Sequence, residues 1–366
     1  MSEADLVLYI VVGTALVFDF TNGFHDTANV VATSISTRAM SPRLAVGYAA
    51  VLNFAGAFIS LEVAATVAED VVDPEAITTT IVFAGLVGAI AWNVITWYYG
   101  LPSSSSHALI GGVVGSAFVA VGADAIFGEG VLGQVLIPAV VAPLLAFVAG
   151  AIAITVCYWV VGSLRPGPVT RGFRLGQIAS GGLLALAHGT NDAQKTMGVI
   201  VLALVASGEL GADADVPLWV VISAATAIAL GTYSGGWRII KTMGTRIISM
   251  DAAQGFSAQG AGAAVILASS HFGFPLSTTH VISGGVMGAG AGKRLSAVRW
   301  GVAGNIVAGW LLTLPAAAAL GGLTYGATRI FGTGAAGPLV VSAVGVALIA
   351  FAFARRLRQE APAPAS

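Results

Sequence analysis

The sequence predicts an all-α polytopic membrane protein made of two inverted-topology repeats. Three observations predict it: a scarcity of charge, a series of long apolar runs, and two motifs that recur in each half. Only 9% of the 366 residues are charged and 57% are hydrophobic, and the mean hydropathy is +0.89. A soluble domain carries about 25% charged residues. The single cysteine, Cys157, excludes a disulfide framework, and the net charge of −1 argues against nucleic-acid binding.

The apolar runs predict about 10–12 membrane segments, since a crossing helix needs ~20 apolar residues. Two of the runs contain polar interruptions, near 19–26 and near 188–195, which we interpret as broken helices. The runs lie at 6–36, 44–66, 77–99, 104–122, 131–161, 174–207, 216–234, 256–272, 277–291, 297–325 and 335–354.

These runs divide into two repeats with short additions. We predict an N-terminal membrane repeat at 1–162, a short cytoplasmic link at 163–173 and a C-terminal inverted repeat at 174–325. An extra transmembrane helix at 326–354 and a cytoplasmic tail at 355–366 follow.

The charged residues divide the loops into a basic set and an acidic set. The basic loop residues are Arg38, Arg43, Arg165, Arg171, Arg174, Arg238, Lys241, Arg246, Lys293, Arg294, Arg299, Arg355, Arg356 and Arg358. The acidic loops between them contain Glu69, Asp70, Asp73, Glu75, Asp124, Glu129, Glu209, Asp213 and Asp215. Basic loops face the cytoplasm, so we expect the N-terminus outside and the C-terminus inside the cell membrane. Arg329 is the exception among the loop residues.

Two connections, 99–107 and 273–280, carry no charge and are rich in Ser and Thr. Irregular backbone at membrane depth is tolerated where it is buried in protein or lines a cavity. We therefore predict two re-entrant helical hairpins with these connections at their tips.

Both motifs occur twice, in the same order. Gly23–Asn29 aligns with Gly189–Lys195, and Pro102–His107 aligns with Pro275–His280. The first copy lies in a run that enters the cytoplasm and the second in a run that leaves it. Inverted repeats of this kind are typical of secondary transporters, which bind substrate at the repeat interface.

The paired acids predict a cation site. Asp26 and Asp192 lie in apolar surroundings, where a carboxylate costs about 2.5–3.5 kcal/mol. We expect Gly23 and Gly189 to let each helix unwind and free carbonyl ligands. Further neutral oxygens come from Asn22, Asn29 and Asn191. Oxygen ligands suit Na⁺, protons or a divalent metal ion held by the two Asp residues. Capping of half-helices is the alternative role for each Asp.

The two Ser/Thr turns predict an anion site, because helix N-termini and hydroxyls donate hydrogen bonds to oxyanions. The predicted phosphate-binding residues are Ser104, Ser105, Ser106, Ser277, Thr278 and Thr279. Simple N-capping by these residues is the alternative.

Several further polar residues are accessory candidates. The motifs contain His25, His107, His188 and His280, which could relay protons, donate to an anion or serve only in packing. Lys195 could balance anion charge or only neutralise Asp192. Asp19 and Glu62 are also intramembrane acids, without a counterpart in the other half.

These motifs resemble those of the inorganic phosphate transporter (PiT) family, and in particular the bacterial low-affinity phosphate transporters. The resemblance is carried by Asn22–Asn29, Pro102–His107, Ala187–Lys195, Ser277–His280 and Trp310–Ala317. It implies phosphate at the hairpins, cations at the two Asp motifs, and a homodimer. His25 stands where many members have Asn, as in the branch associated with proton symport and neutral metal–phosphate complexes, whereas other members use Na⁺.

We therefore expect H⁺- or Na⁺-coupled symport of inorganic phosphate by alternating access, with no cofactor besides the coupling cation and no enzymatic activity. A sulfate carrier of the same superfamily is the first alternative. An intramembrane enzyme using His, Ser and Asp, and a passive anion channel, are the others.

Overall fold

The structure is a computed structural model that describes residues 2–211 and 214–360. The chain is helical, and α6 is a single turn that continues through the π-helical segment Val131–Leu136 into α7. The helices are α1 (Glu3–Ser36), α2 (Pro42–Gly56), α3 (Glu62–Glu69), α4 (Thr79–Tyr99), α5 (Ser105–Ala120), α6 (Gly128–Gly130), α7 (Ile137–Val161), α8 (Pro166–Ala206), α9 (Leu218–Ser234), α10 (Trp237–Lys241), α11 (Ala252–His271), α12 (Thr278–Lys293), α13 (Trp300–Arg329) and α14 (Ala336–Glu360).

The helix packing repeats in matched pairs. α5 packs against α4 and α13, and α12 packs in the same way against α11 and α7. Likewise, α1 packs against α9 and α8 packs against α2. An isolated bridge between Val72 and Ile126 joins the segments that flank α4 and α5, and one between Ile248 and Val298 does the same around α11 and α12. Each helical hairpin is thus closed at its open end by a bridge and covered by a long helix from the other half.

Two apolar cores enclose the Asp motifs. The buried apolar residues within 7–18 of α1 belong to the first core, and those within 28–32 belong to the second. In α8 the order is reversed, with 184–187 in the second core and 197–204 in the first. The polar motifs therefore lie between the cores, on helices that pass them in opposite directions. That opposite order is the arrangement an inverted repeat predicts.

The helix breaks predicted at the two Asp motifs are wrong. The structure describes all of α1 and α8, and both are helical throughout. The glycines serve close helix crossing instead of unwinding. A Cβ atom on Gly23 would overlap the carbonyl oxygen of Ile228 in α9, and one on Gly189 would overlap that of Asn53 in α2. The backbone carbonyls of the motifs consequently stay within the helices, and the predicted carbonyl ligands are lost.

Gly189→Ala is expected to destabilise the protein because the added methyl group meets the backbone of α2. Overpacking a close contact costs about 1–3 kcal/mol. Gly172→Ala is the matched control, since it lies on the same helix with open space around it and gains about 1 kcal/mol in helix propensity. Thermal unfolding in detergent, followed by circular dichroism, measures the difference. Equal midpoints for the two variants would contradict the close-crossing role.

Four described helical stretches are long and apolar enough to cross a membrane. They are α1, α4, the stretch Gly128–Val161 and α13; α9 with the following Trp237–Arg246, bent by 61°, makes a fifth. α8 is longer, but its polar motif and basic first turns dilute its hydropathy. The protein therefore has several membrane-spanning helices. The full count of about 10–12 segments, the re-entrant hairpins and the orientation of the termini stay predictions.

Two segment boundaries differ from those expected. Most of the predicted link 163–173 is helical, because α8 begins at Pro166, where a proline suits the first helical turn. The predicted tail is helical as far as Glu360. Its remainder, 361–366, and the acidic loop residue Asp213 lie outside the described residues.

Candidate functional site

The Asp26 carboxylate is buried and surrounded by hydrogen-bond donors. His25 Nδ1 lies 2.7 Å from Asp26 Oδ1. The hydroxyl of Thr279 donates to the same oxygen across 3.4 Å, and that of Thr278 donates to Oδ2 across 3.4 Å. Asn29 Nδ2 donates in turn to Thr279 across 2.9 Å. The Asp motif of the first half thus contacts the hairpin tip of the second half.

Asp192 approaches the same hydroxyl from α8. Thr278 Oγ1 lies 3.2 Å from Asp192 Oδ2, so one hydroxyl stands between the two carboxylates. His188 Nε2 lies 3.1 Å from that oxygen, outside hydrogen-bond geometry. Asp26, His188 and Asp192 each offer one ligand atom, and these atoms lie within 4.8 Å of one another. A single cation between them would contact both halves of the protein.

Two buried asparagines near these ligands in the sequence, Asn29 and Asn191, have unpartnered acceptors within the described part of the chain. Asn191 Nδ2 donates to Ser270 Oγ across 2.9 Å and to the Phe274 carbonyl across 3.1 Å. Its Oδ1 and that of Asn29 are buried, and neither has a hydrogen-bond partner within the described part of the chain. Carboxylate and amide oxygens suit hard cations, and an imidazole nitrogen adds affinity for transition metals. The chemistry of the donor set therefore fits a cation.

Lys195 connects Asp192 to both hairpin tips. Its ammonium donates to Asp192 Oδ1 across 2.5 Å, to Ser106 Oγ across 2.6 Å and to the Leu276 carbonyl across 2.6 Å. A lysine ammonium has three hydrogens, so all of them have acceptors. In this conformation Lys195 neutralises Asp192 and has no donor left for an anion.

The hairpin tips meet at this point. Ser106 Oγ donates to the Leu276 carbonyl across 3.1 Å. Ser104 and Ser277 act as the N-caps of α5 and α12, accepting from the backbone N–H groups of His107 and His280. The capping role considered for the turns therefore holds for one residue in each.

Four of the predicted hydroxyls remain for other roles. Ser105 Oγ is buried and has no hydrogen-bond partner among the described residues. Ser106, Thr278 and Thr279 contact Lys195 and the two carboxylates, as described above. First-turn N–H groups have no backbone acceptor within their own helix, so both tips also supply backbone N–H donors.

The two tip histidines pack against each other. The rings of His107 and His280 meet edge to face with centroids 4.7 Å apart, and His280 stacks on Trp310 at 4.1 Å. His280 Nδ1 lies 3.3 Å from the Ala139 carbonyl. These contacts link the tips to α7 and α13.

Two residues that contact His25, namely Thr96 and Ser103, were not predicted from the sequence. His25 Nε2 lies 3.2 Å from Thr96 Oγ1 and 3.4 Å from Ser103 Oγ. Ser103 belongs to the first Ser-rich turn, which is the signal that could have found it. Thr96 carries no signal, since it resembles any helical threonine. Asn22, predicted as a cation ligand, lies beside Asp19, and its Oδ1 has no hydrogen-bond partner in the described part of the chain.

The chain matches the model of a known protein family. The family model described as "Phosphate transporter family" matches residues 22–321. The chain belongs to the phosphate transporter family. Membership in a family of transporters sets aside the intramembrane enzyme.

Relatives of this phosphate transporter family member occur in several bacteria. It is 54% identical to a "Probable low-affinity inorganic phosphate transporter" of Mycobacterium tuberculosis strain H37Rv, over 89% of this chain and 78% of that protein. A protein of the same name from Bacillus subtilis strain 168 is 43% identical, over 87% and 96%. The fold is similar to that of a structure titled "The sodium-dependent phosphate transporter", with a TM-score of 0.78, 24% identity, and coverage of 88% and 99%.

Proposed function

We propose that this protein carries inorganic phosphate across the cell membrane together with a cation bound between Asp26 and Asp192. One observation supports this most directly: both carboxylates face Thr278, a residue of the hairpin tip. Cation and anion sites that share one hydroxyl are neighbours. Occupancy of one site then changes the affinity of the other site for its ion.

Charge explains why the cation is needed. Two carboxylates and one ammonium leave the site with a formal charge of −1 when its histidines are neutral. Phosphate adds further negative charge. Like charges ~4 Å apart repel by about 4 kcal/mol at the effective dielectric of a protein. A cation beside Asp26, His188 and Asp192 removes this repulsion, so phosphate binds well only after or with the cation.

The donors for phosphate come from both tips. The hydroxyl of Ser105, those of Thr278 and Thr279, and the first-turn N–H groups of α5 and α12 supply them. A cation on the carboxylates would release the threonine hydroxyls that now donate to Asp26. These hydroxyls would then turn to the anion. Motion of one helix bundle against the other, around the tips, alternates access to the two sides.

The nature of the cation is part of the proposal. His188 brings a nitrogen ligand, which favours a divalent transition metal over Na⁺. Phosphate carried as a metal complex is the form that this set of ligands supports best. Coupling of transport to a proton is compatible with this metal site, because the proton does not compete for the ligands of the metal ion.

Orientation and assembly are proposed on sequence grounds. The charge pattern of the loops supports an outside N-terminus and a cytoplasmic C-terminus. The family resemblance supports a homodimer.

Uptake of labelled phosphate by proteoliposomes tests the function. We expect uptake to require a divalent transition-metal cation such as Mn²⁺ and to respond to an imposed pH gradient, with Na⁺ gradients tested separately. Excess sulfate should leave uptake unchanged. Equal fluxes with and without every gradient would indicate a passive channel, and strong inhibition by sulfate would indicate a sulfate carrier.

A further inference from the structure

Asp19 is a buried acid that the carboxylate site does not use. It lies on α1, two helical turns before Asp26, with a side chain that is 0% exposed. Asn22, one turn further along α1, and Thr196 of α8 lie beside its carboxyl group. The fully buried Phe18 and Met197 belong to the apolar core next to it. The surroundings therefore offer a carboxylate little solvation.

The oxygens of this carboxyl group have no hydrogen-bond partners within the part of the chain that the structure describes. Among the described residues, neither carboxyl oxygen of Asp19 accepts a hydrogen bond, and Asn22 Oδ1 and Thr196 Oγ1 are unpartnered as well. No Lys, Arg or His of the described chain forms an ion pair with Asp19. The charged groups that act on it from the neighbouring helices are Asp192 and Lys195 of α8, at longer range. These two are already paired with each other.

The donors and acceptors around Asp19 show which hydrogen bond lacks a donor. An ionised carboxylate and an amide oxygen are both acceptors and cannot bond to each other. An ionised carboxylate can accept from Asn22 Nδ2 and from the Thr196 hydroxyl, but only a protonated carboxyl group has an O–H that can donate to Asn22 Oδ1. One added proton therefore supplies a donor for Asn22 Oδ1, which is otherwise buried without a hydrogen-bond partner among the described residues.

A proton fits this place better than Na⁺. Transporters commonly bind Na⁺ with carbonyls from unwound helix segments. Both α1 and α8 are continuous here, so their carbonyls stay within the helices. One carboxyl group, one amide oxygen and one hydroxyl remain, enough to hold a proton.

We propose that Asp19 is a proton-binding site, distinct from the carboxylate pair, that couples transport to the pH gradient. The inference rests on the proposed phosphate transport. The carboxylate takes one proton from the side of entry and becomes a neutral acid whose O–H donates to Asn22. It returns the same proton on the other side. When ionised, it adds a negative charge that acts on Asp192 and Lys195 at longer range and opposes entry of the anion.

Infrared spectroscopy tests the protonation without any transport. Purified wild-type protein in detergent should show the carbonyl stretch of a protonated carboxylic acid at neutral pH. Asp19→Asn should lose that band, and Asn22→Ala should shift it because the acceptor is gone. Asn93→Ala is the matched control, since Asn93 is also buried and unpartnered but carries no proton, and it should leave the band unchanged. A band that survives in Asp19→Asn overturns the proposal.

Transport separates this inference from the proposed function. Asp19→Asn should lose accumulation driven by a pH gradient, and its proton uptake per phosphate should fall by one. It should retain exchange of internal for external phosphate at near wild-type rate. If Asp19→Asn accumulates phosphate under a pH gradient as well as the wild-type protein does, the role of Asp19 is contradicted while the proposed function stands. Absence of phosphate exchange in the wild-type protein contradicts the proposed function itself.

Discussion

Asp26→Asn and Asp192→Asn are each expected to lower phosphate uptake about 100-fold or more, which corresponds to ~2.7 kcal/mol. The amide keeps the shape of the carboxylate but removes its charge and replaces one acceptor oxygen by a donor. The cation would then lose one of its two charged ligands, and the anion would meet a site that no cation neutralises. Uptake by proteoliposomes under the gradient that drives the wild-type protein measures the effect.

The control for this pair of variants is Asp251→Asn. Asp251 caps α11 and pairs with Lys293 outside the site, and asparagine caps a helix about as well as aspartate. Its uptake should stay near wild type. If either site variant keeps full coupled uptake while remaining folded, its carboxylate does not bind the cation.

Lys195→Met is expected to cause the largest loss of stability of any substitution in the site. It leaves the buried Asp192 carboxylate without its opposite charge, and breaking a buried pair on one side costs about 3–5 kcal/mol. It also removes the donors that hold Ser106 and the Leu276 carbonyl. Thermal unfolding in detergent should show a clear drop in midpoint.

The double variant Asp192→Asn with Lys195→Met separates charge balance from transport. With both charges removed, most of the lost stability should return, while uptake stays absent because the cation ligand is missing. A single Lys195→Met variant as stable as wild type would show that the pair is not what holds this region together. Recovery of uptake in the double variant would contradict the role given to Asp192.

Much of the site was predictable because its residues repeat. Asp26 and Asp192 stand out as acids in apolar runs, and the structure places them around one hydroxyl. The two Ser/Thr turns stand out as uncharged connections, and the structure brings their tips together. Repetition reveals such residues because each copy is evidence for the other.

The glycines show where the interpretation went wrong. A glycine beside a buried acid is compatible with an unwound helix and with a tight helix crossing, and the local sequence is the same for both. The choice depends on the backbone of α9 and α2, which lie far away in the chain. Only their position shows that Gly23 and Gly189 serve the crossing.

The sequence by itself determined the membrane class, the helical architecture, the duplicated motifs and the resemblance to a transporter family, because composition and repetition are properties of the chain alone. The tertiary structure decided how the polar atoms are used. It showed that Ser104 and Ser277 serve as caps and that Lys195 donates its three hydrogens to Asp192 and the tips. It also showed that the carboxyl oxygens of Asp19 accept no hydrogen bond from the residues that the structure describes. The physical reason is that a hydrogen bond needs its donor and acceptor within about 3 Å, and here the partners come from segments far apart in the chain.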